Sequence, residues 1–125
     1  MPIDHVNIPV GDLQASKAFY AAALAPLGFL LVYEGADSLG FGRGDGGTDD
    51  EPIAVRLGAR PNRGSHIALA ASAVGEVDAF HAAALRAGGR DNGPPGDRPY
   101  GRNYYAAFVI DPDGHNIEAV YKGGV

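Results

Sequence analysis

Hydrophobic and polar residues alternate in several short stretches of the chain, and longer stretches between them have a helical period. The segment IDHVNIPV (3–10) alternates in this way, as does SHIALAA (65–71), and both predict half-buried strands. Two stretches with apolar residues at helical spacing predict helices, and each opens on a side chain that can act as N-cap: residues 12–24 with Asp12, and residues 72–87 with Ser72.

The chain repeats itself at an offset of 61 residues. AFYAAAL (18–24) returns as AFHAAAL (79–85), and the same shift brings HVNI, which begins at His5, onto HIAL, which begins at His66. Alanine-rich helix composition alone explains the first match, but two separate matches at one offset indicate a duplicated unit. Each unit reads as a strand, then a helix, then further strands.

Five more stretches have strand character: 28–34, 38–43, 52–57, 103–110 and 116–121. The last two flank DPDGH (111–115), whose Pro and Gly favour a tight hairpin turn. Residues 89–102 are rich in Gly, Pro and charge, which predicts a mobile loop across the site. The fold class that follows is α+β, a single domain (1–125) of two tandem βαβββ modules, about 1–60 and 61–125.

Composition and charge narrow the classes of function. The 125 residues are 46% hydrophobic and 20% charged, as in one globular domain, and the absence of cysteine leaves His and carboxylate as the metal ligands. The formal net charge of −5, with ten scattered Lys and Arg, indicates that nucleic acid is not the partner, because a phosphate backbone would not be attracted. The most apolar stretch (21–32) contains Pro and Gly and is shorter than a membrane span, so we expect no membrane association and a cytoplasmic location.

Three side chains of metal-binding type fall on strand faces that point away from the predicted helices. His5 and His66 occupy equivalent positions of the repeat, and Glu118 lies in the last strand between apolar neighbours, where a buried carboxylate needs a compensating charge. Each residue alone is better explained as a surface or internally satisfied group. Together, two imidazoles and one carboxylate brought to a concave face by the duplication form the facial triad of an open divalent metal site.

These features resemble the vicinal oxygen chelate superfamily. The resemblance rests on the segment from His5 to the FY pair at 19–20, on the second half opening at His66, and on AFVIDPDGHNIEAV (107–120), and it covers essentially the whole chain. It implies a U-shaped, cup-like sheet with the helices on its convex side, in which His5, His66 and Glu118 match the metal ligands. The superfamily includes glyoxalase I, extradiol dioxygenases, fosfomycin resistance enzymes and metal-free bleomycin-binding proteins, so the resemblance does not choose a reaction.

The sequence departs from the four-ligand site of glyoxalase I. The fourth ligand there is usually a glutamate near the end of the first module, but the offset of 61 aligns Glu118 with Leu57, next to Arg56. Neither side chain binds a cation. We therefore expect three protein ligands, with positions left for water and a bidentate oxygen substrate, unless Glu51 or Glu34 supplies the fourth.

Other residues are assigned to the substrate or set aside. Arg56 is a candidate for offsetting negative charge on the substrate, and a solvated strand-end arginine is the alternative. Tyr105 is predicted to fall opposite residue 118 or 119, which makes it a candidate hydrogen-bond donor at the substrate site, with core filling as the alternative. His115 is interpreted as a turn residue and His81 as a helix packing residue.

The leading hypothesis is a metal-dependent enzyme, a lyase, isomerase or dioxygenase. It would act on a small oxygen-rich molecule with Glu118 as its catalytic group and Fe, Mn, Ni or Zn as its cofactor, and we expect a homodimer. The alternative is a binding protein of the bleomycin-resistance type, which sequesters a ligand without metal. A third possibility is a partner-binding module in which the triad is a vestige.

Overall fold

Each half of the chain forms one four-stranded sheet that is covered by one helix. The computed structural model describes residues 4–43, 52–58 and 64–123. The strand orders are β1-β4-β3-β2 and β5-β8-β7-β6, which repeat the same arrangement. No helix in this part of the chain is long and apolar enough to cross a membrane. The elements are β1 (Val6–Val10), α1 (Leu13–Leu24), a 3₁₀ turn (Ala25–Leu27), β2 (Leu30–Glu34), β3 (Ser38–Gly42), β4 (Ile53–Leu57), β5 (His66–Ala70), α2 (Val74–Arg86), β6 (Arg90–Asp97), β7 (Tyr105–Ile110) and β8 (Asn116–Tyr121).

The two helices begin in different ways. Helix α1 starts as predicted, because the Asp12 carboxylate accepts hydrogen bonds from the backbone N–H groups of Gln14 and Ala15 at 3.0 and 3.1 Å. The prediction that Ser72 caps α2 is wrong: the N-cap is Ala73, which makes no side-chain cap bond. The Ser72 backbone N–H instead donates to the carboxylate of Glu76, in the first turn, at 2.7 Å.

The stretch predicted as a mobile loop contains a strand. Residues Arg90–Asp97 form β6 at the edge of the second sheet, paired antiparallel with β7. Two prolines are tolerated there because an edge strand leaves some backbone N–H groups without ladder partners. The pairing is irregular around Gly93, whose φ of +149° is a conformation that favours glycine. The amino-acid composition of the segment does not by itself indicate such a strand.

The helices pack on one face of their sheets and against each other, and this layer holds the hydrophobic core. The repeat predicted from the sequence is visible in it, since Phe19 of α1 and Phe80 of α2 are both fully buried, as are Ala23 and Ala84. The repeated heptad thus supplies the apolar side of each helix. Within the described residues, the opposite faces of the sheets carry no helix.

Strand register shows which residues of the two modules are equivalent. In the first sheet, Asn7 of β1 lies opposite Ala54 of β4 in a parallel pair. In the second, Ala68 of β5 lies opposite Glu118 of β8. Because Asn7 and Ala68 match at the offset of 61, the structural equivalent of Glu118 is Ala54, at an offset of 64, and not Leu57. The second module is three residues longer between these strands, which the sequence alignment missed.

A buried group of hydrogen bonds joins the two modules. Asp111, only 2% exposed, accepts from the Tyr20 hydroxyl of α1 at 2.5 Å through Oδ2, and from the backbone N–H of His115 at 2.8 Å through Oδ1. Burial raises the pKa of the Tyr20 hydroxyl, and the neighbouring Asp111 carboxylate raises it further. Tyr20 therefore remains a proton donor to this carboxylate.

His115 forms the second part of this junction. It is fully buried, and its Nδ1 accepts from the backbone N–H of Ser65 at 2.9 Å. Nδ1 is therefore unprotonated, and the proton lies on Nε2, which donates to the Pro9 carbonyl of β1 at 2.8 Å. The residue interpreted as part of a turn also connects β1 to the segment that leads into β8.

Candidate functional site

The helix-free face of the second sheet carries the candidate ligands. Along β5, His66, Ala68 and Ala70 are exposed and alternate with half-buried residues that face the core. In the neighbouring strand β8, Glu118 points to the same side, because it lies opposite Ala68 in the parallel register. The small side chain of Ala68 leaves room between the histidine and the carboxylate.

His66 and Glu118 are in direct contact. Nε2 of His66 donates to Oε1 of Glu118 at 2.8 Å, and the other carboxylate oxygen accepts a hydrogen bond from the Tyr104 hydroxyl. Glu118 is 1% exposed, whereas a little over half of the His66 side chain faces solvent. The structure therefore brings together two of the three predicted ligands and adds a tyrosine that the sequence analysis had not singled out.

The tyrosine is held as a hydrogen-bond donor. Burial raises the pKa of Tyr104 to about 12, and the hydrogen bond to the Glu118 carboxylate adds to the effect. Both oxygens of Glu118 thus have donors, which is what a buried carboxylate requires. The orientation of the carboxylate is fixed from both sides.

His5 lies near this pair but not in contact with it. It precedes β1 and is exposed, and its Nδ1 donates to the Asp4 carboxylate at 2.9 Å, which leaves Nε2 available. His5 and His66 line the same cavity of about 420 Å³. Among residues 4–43, 52–58 and 64–123, however, no three His, Asp or Glu side chains are grouped closely enough to hold a metal ion.

The His66–Glu118 pair fits a divalent metal as far as two ligands can. Ligand atoms about 2.1 Å from one ion and at right angles to each other are about 3.0 Å apart, close to the separation of 2.8 Å between Nε2 and Oε1. Asp4 also bonds to the ring nitrogen of His5 remote from the free Nε2, the arrangement common for metal-binding histidines. The donor types and the spacing of the pair are compatible with two ligands of one divalent metal ion.

A second cavity opens beside the pair. It measures about 580 Å³, within the usual range for small-molecule sites, and both His66 and Glu118 line it. Its other walls are polar or aromatic side chains from β6, β7, β8 and the segment between β6 and β7, chiefly Asn92, Arg98, Tyr100, Tyr104, Phe108 and Asn116. A molecule in this cavity would contact the histidine and the carboxylate directly.

The two residues assigned to the substrate from the sequence lie elsewhere. Tyr105 pairs with Tyr121 instead of residue 118 or 119, because β7 and β8 begin their pairing at Ile110 and Asn116. The predicted partner of Tyr105 was wrong by two or three residues. Tyr105 packs toward the core layer, and its hydroxyl donates to Asp78 of α2. The neighbouring Tyr104 makes the predicted contact with Glu118.

Arg56 belongs to the first sheet. It is exposed on β4, opposite Ser38 and Pro9, and is not among the described residues that line the cavities at His66. Of the possible fourth ligands, Glu34 is paired with Lys17 at 2.8 Å, and Glu51 lies outside the described residues. The equivalent of Glu118 in the first module, Ala54, has no group that binds a cation.

Sequence reasoning missed Arg98, Tyr100 and Tyr104. A signal for them is present in RPYGRNYY (98–105), where aromatic and cationic residues are concentrated immediately before a strand. These residues contact one another and the sheet. The rings of Tyr100 and Tyr104 pack edge to face with their centres 5.4 Å apart, and the guanidinium carbon of Arg98 lies 5.5 Å from the centre of the Phe108 ring.

Comparison with protein families identifies the class of protein. The model of the Glyoxalase/Bleomycin resistance protein/Dioxygenase superfamily matches residues 2–119. The chain belongs to this superfamily, as the resemblance in its sequence predicted.

Solved structures show the same fold. A glyoxalase/bleomycin resistance protein from Albidiferax ferrireducens is 29% identical, with a TM-score of 0.80 over 97% of this chain and 98% of that one. A glyoxalase-related enzyme from Fulvimarina pelagi is 22% identical, with a TM-score of 0.73 over 95% and 86%. The fosfomycin resistance protein FosX from Listeria monocytogenes is 21% identical, with a TM-score of 0.67 over 94% and 89%. No curated protein matches the sequence significantly.

Proposed function

We propose that the protein is a divalent-metal-dependent enzyme of this superfamily, a lyase, isomerase or dioxygenase that acts on a small oxygen-rich molecule. The observation that carries the proposal is the contact between Nε2 of His66 and Oε1 of Glu118, at a separation suited to shared coordination. His66, Glu118 and His5 would hold the metal, which would be Fe, Mn, Ni or Zn. Some relatives are described as enzymes, which supports the class of activity and not a particular reaction.

Different residues of this chain would bind the metal and receive the substrate. When bound, the metal would act as a Lewis acid toward two adjacent substrate oxygens. Glu118 and His66 would supply ligand atoms whose positions are already set, since Tyr104 holds the second carboxylate oxygen. The large cavity beside the pair would receive the substrate.

The third ligand, His5, would come either from the same chain or from a second copy. We propose a homodimer, and a shared site would account for the distance of His5 from the pair within one chain. A mixing experiment separates the two sources. If the site is shared, heterodimers of His5→Ala and His66→Ala chains regain one intact site, whereas a site within one chain stays broken in both.

Metal binding is the direct test of the proposal. Protein purified without chelator is analysed for metal content, and binding of Mn²⁺ and Zn²⁺ is measured by titration calorimetry. His66→Ala and Glu118→Gln should each weaken binding at least about 100-fold, more than is usual for residues that only support a ligand. The matched control is His81→Ala, which removes a histidine on α2 that is hydrogen-bonded to Asp91. Equal metal binding by all four proteins would refute the proposal.

A second function is favoured by a specific observation. His66 and Tyr104 donate to both oxygens of Glu118, and the described residues bring together only two of the three ligand candidates. These facts suit a binding protein that sequesters a small molecule in the cavity. Ligand binding that is unchanged by EDTA, by His5→Ala and by His66→Ala would support this function over the enzyme.

A further inference from the structure

We infer that the cavity beside Glu118 is built for a small organic carboxylate with a flat body, and that Arg98 is the residue that selects it. The inference rests on the function proposed above in one respect, because it names the class of substrate for the same site. It is carried by the fixed position of Arg98 and by the aromatic rings around it.

Arg98 is oriented without being neutralised. Its Nη2 donates to the Pro94 carbonyl at 2.6 Å, its Nη1 donates to the Asp97 carbonyl at 3.3 Å, and its guanidinium carbon lies 5.5 Å from the centre of the Phe108 ring. In the described part of the chain, no carboxylate forms an ion pair with it. A guanidinium has five N–H donors, so donors remain for an acceptor in the cavity.

Arg98 places a positive charge at a cavity of an acidic protein. The protein has a formal net charge of −5, yet the described wall of this cavity includes the guanidinium group of Arg98. The acidic group of the wall, Glu118, has both oxygens engaged by His66 and Tyr104. An anion in the cavity could therefore accept hydrogen bonds from Arg98, whereas the Glu118 carboxylate already accepts hydrogen bonds from His66 and Tyr104.

The rings define the rest of the ligand. Phe108 lies on β7 directly opposite Glu118, and Tyr100 is 64% exposed at the cavity while its ring edge meets Tyr104. Exposed aromatic faces favour flat, conjugated partners. Asn92 and Asn116, joined by a hydrogen bond of 3.3 Å, supply amide groups for polar substituents. The guanidinium fork suits a carboxylate because it can donate to both of its oxygens.

The test uses benzoate as the probe and benzamide as its uncharged counterpart. Binding to the 125-residue protein is measured by ligand-observed NMR titration, with and without EDTA. Benzoate should bind at least about tenfold more tightly than benzamide, as expected for a charge-assisted hydrogen bond. Arg98→Gln should remove this preference, and Arg86→Gln, which removes an exposed arginine in the last turn of α2, should leave it unchanged.

The outcomes separate this inference from the proposed function. A preference for benzoate that survives EDTA and disappears in Arg98→Gln supports the inference even if no metal is found. Equal binding of benzoate and benzamide by the unmodified protein overturns it, whatever the metal content, and does not depend on any variant folding. Benzoate binding that is unchanged in a folded Arg98→Gln protein overturns it as well.

Discussion

The hydrogen bond between Tyr20 and Asp111 should make a large contribution to stability. Oδ1 of Asp111 accepts from two backbone N–H groups, those of Asp113 and His115, whereas the hydroxyl of Tyr20 is the donor to Oδ2 among the described residues. Tyr20→Phe keeps the ring and removes this donor, leaving a buried carboxylate oxygen unsatisfied. Because hydrogen bonds to charged groups contribute about 1.5–3 kcal/mol, we expect a loss of that size in the free energy of unfolding.

Urea unfolding followed by circular dichroism measures this loss as a lower midpoint at unchanged slope. Tyr105→Phe is a matched control, since it removes a tyrosine hydroxyl that donates to the exposed carboxylate of Asp78 at 2.7 Å. It should change stability by less than about 0.5 kcal/mol. Equal effects of the two substitutions would refute the reasoning, because they would show that burial of Asp111 adds nothing to the value of its donor.

Three further predictions concern local structure and pH. Asp12→Ala should cost about 1 kcal/mol through loss of the α1 cap, read as a lower unfolding midpoint, and no change would contradict the capping role. Gly89→Ala should lower the melting temperature strongly, since an added Cβ would lie 2.6 Å from neighbouring side-chain atoms, whereas Gly75→Ala, with nothing within 4 Å, should be neutral or stabilising. The pKa of Tyr104 is raised to about 12, chiefly by burial and then by Glu118, so its stabilising effect should be complete below pH 10.0 and lost as the pH rises through about 12. Ultraviolet titration should show several late-ionising tyrosines, Tyr20 among them, and Tyr104→Phe should remove one of them. An unchanged titration curve would contradict the assignment.

Much of the fold could be predicted because it follows from periodic patterns. The strand faces around His5 and His66 and the two helices obey simple alternation and helical spacing, and the duplication made each half a check on the other. The α+β fold and the superfamily are confirmed. The pairing of β6 could not be predicted, because a strand rich in Gly and Pro depends on its neighbour, β7, and not on its own propensity.

The placement of the candidate site residues was predicted in part, for a similar reason. His66 and Glu118 meet because they lie on adjacent parallel strands, and the parity of alternation was enough to place them on one face. Tyr104 and Arg98 reach the cavity from the segment between β6 and β7, whose path no periodicity specifies. The position of Tyr105 depended on hairpin register, and a shift of one residue moves a side chain to the other face of a sheet.

The hydrogen bond from His115 to the Pro9 carbonyl has a consequence for how such a site can change over time. Pro9 lies four residues after His5, on the strand that follows it, and His115 lies three residues before Glu118. Substitutions that disturb this hydrogen bond would therefore alter the spacing between the candidate ligands without replacing any of the ligand residues. Natural variation at this turn would therefore be a way to change the geometry of the candidate site without a substitution in the site itself.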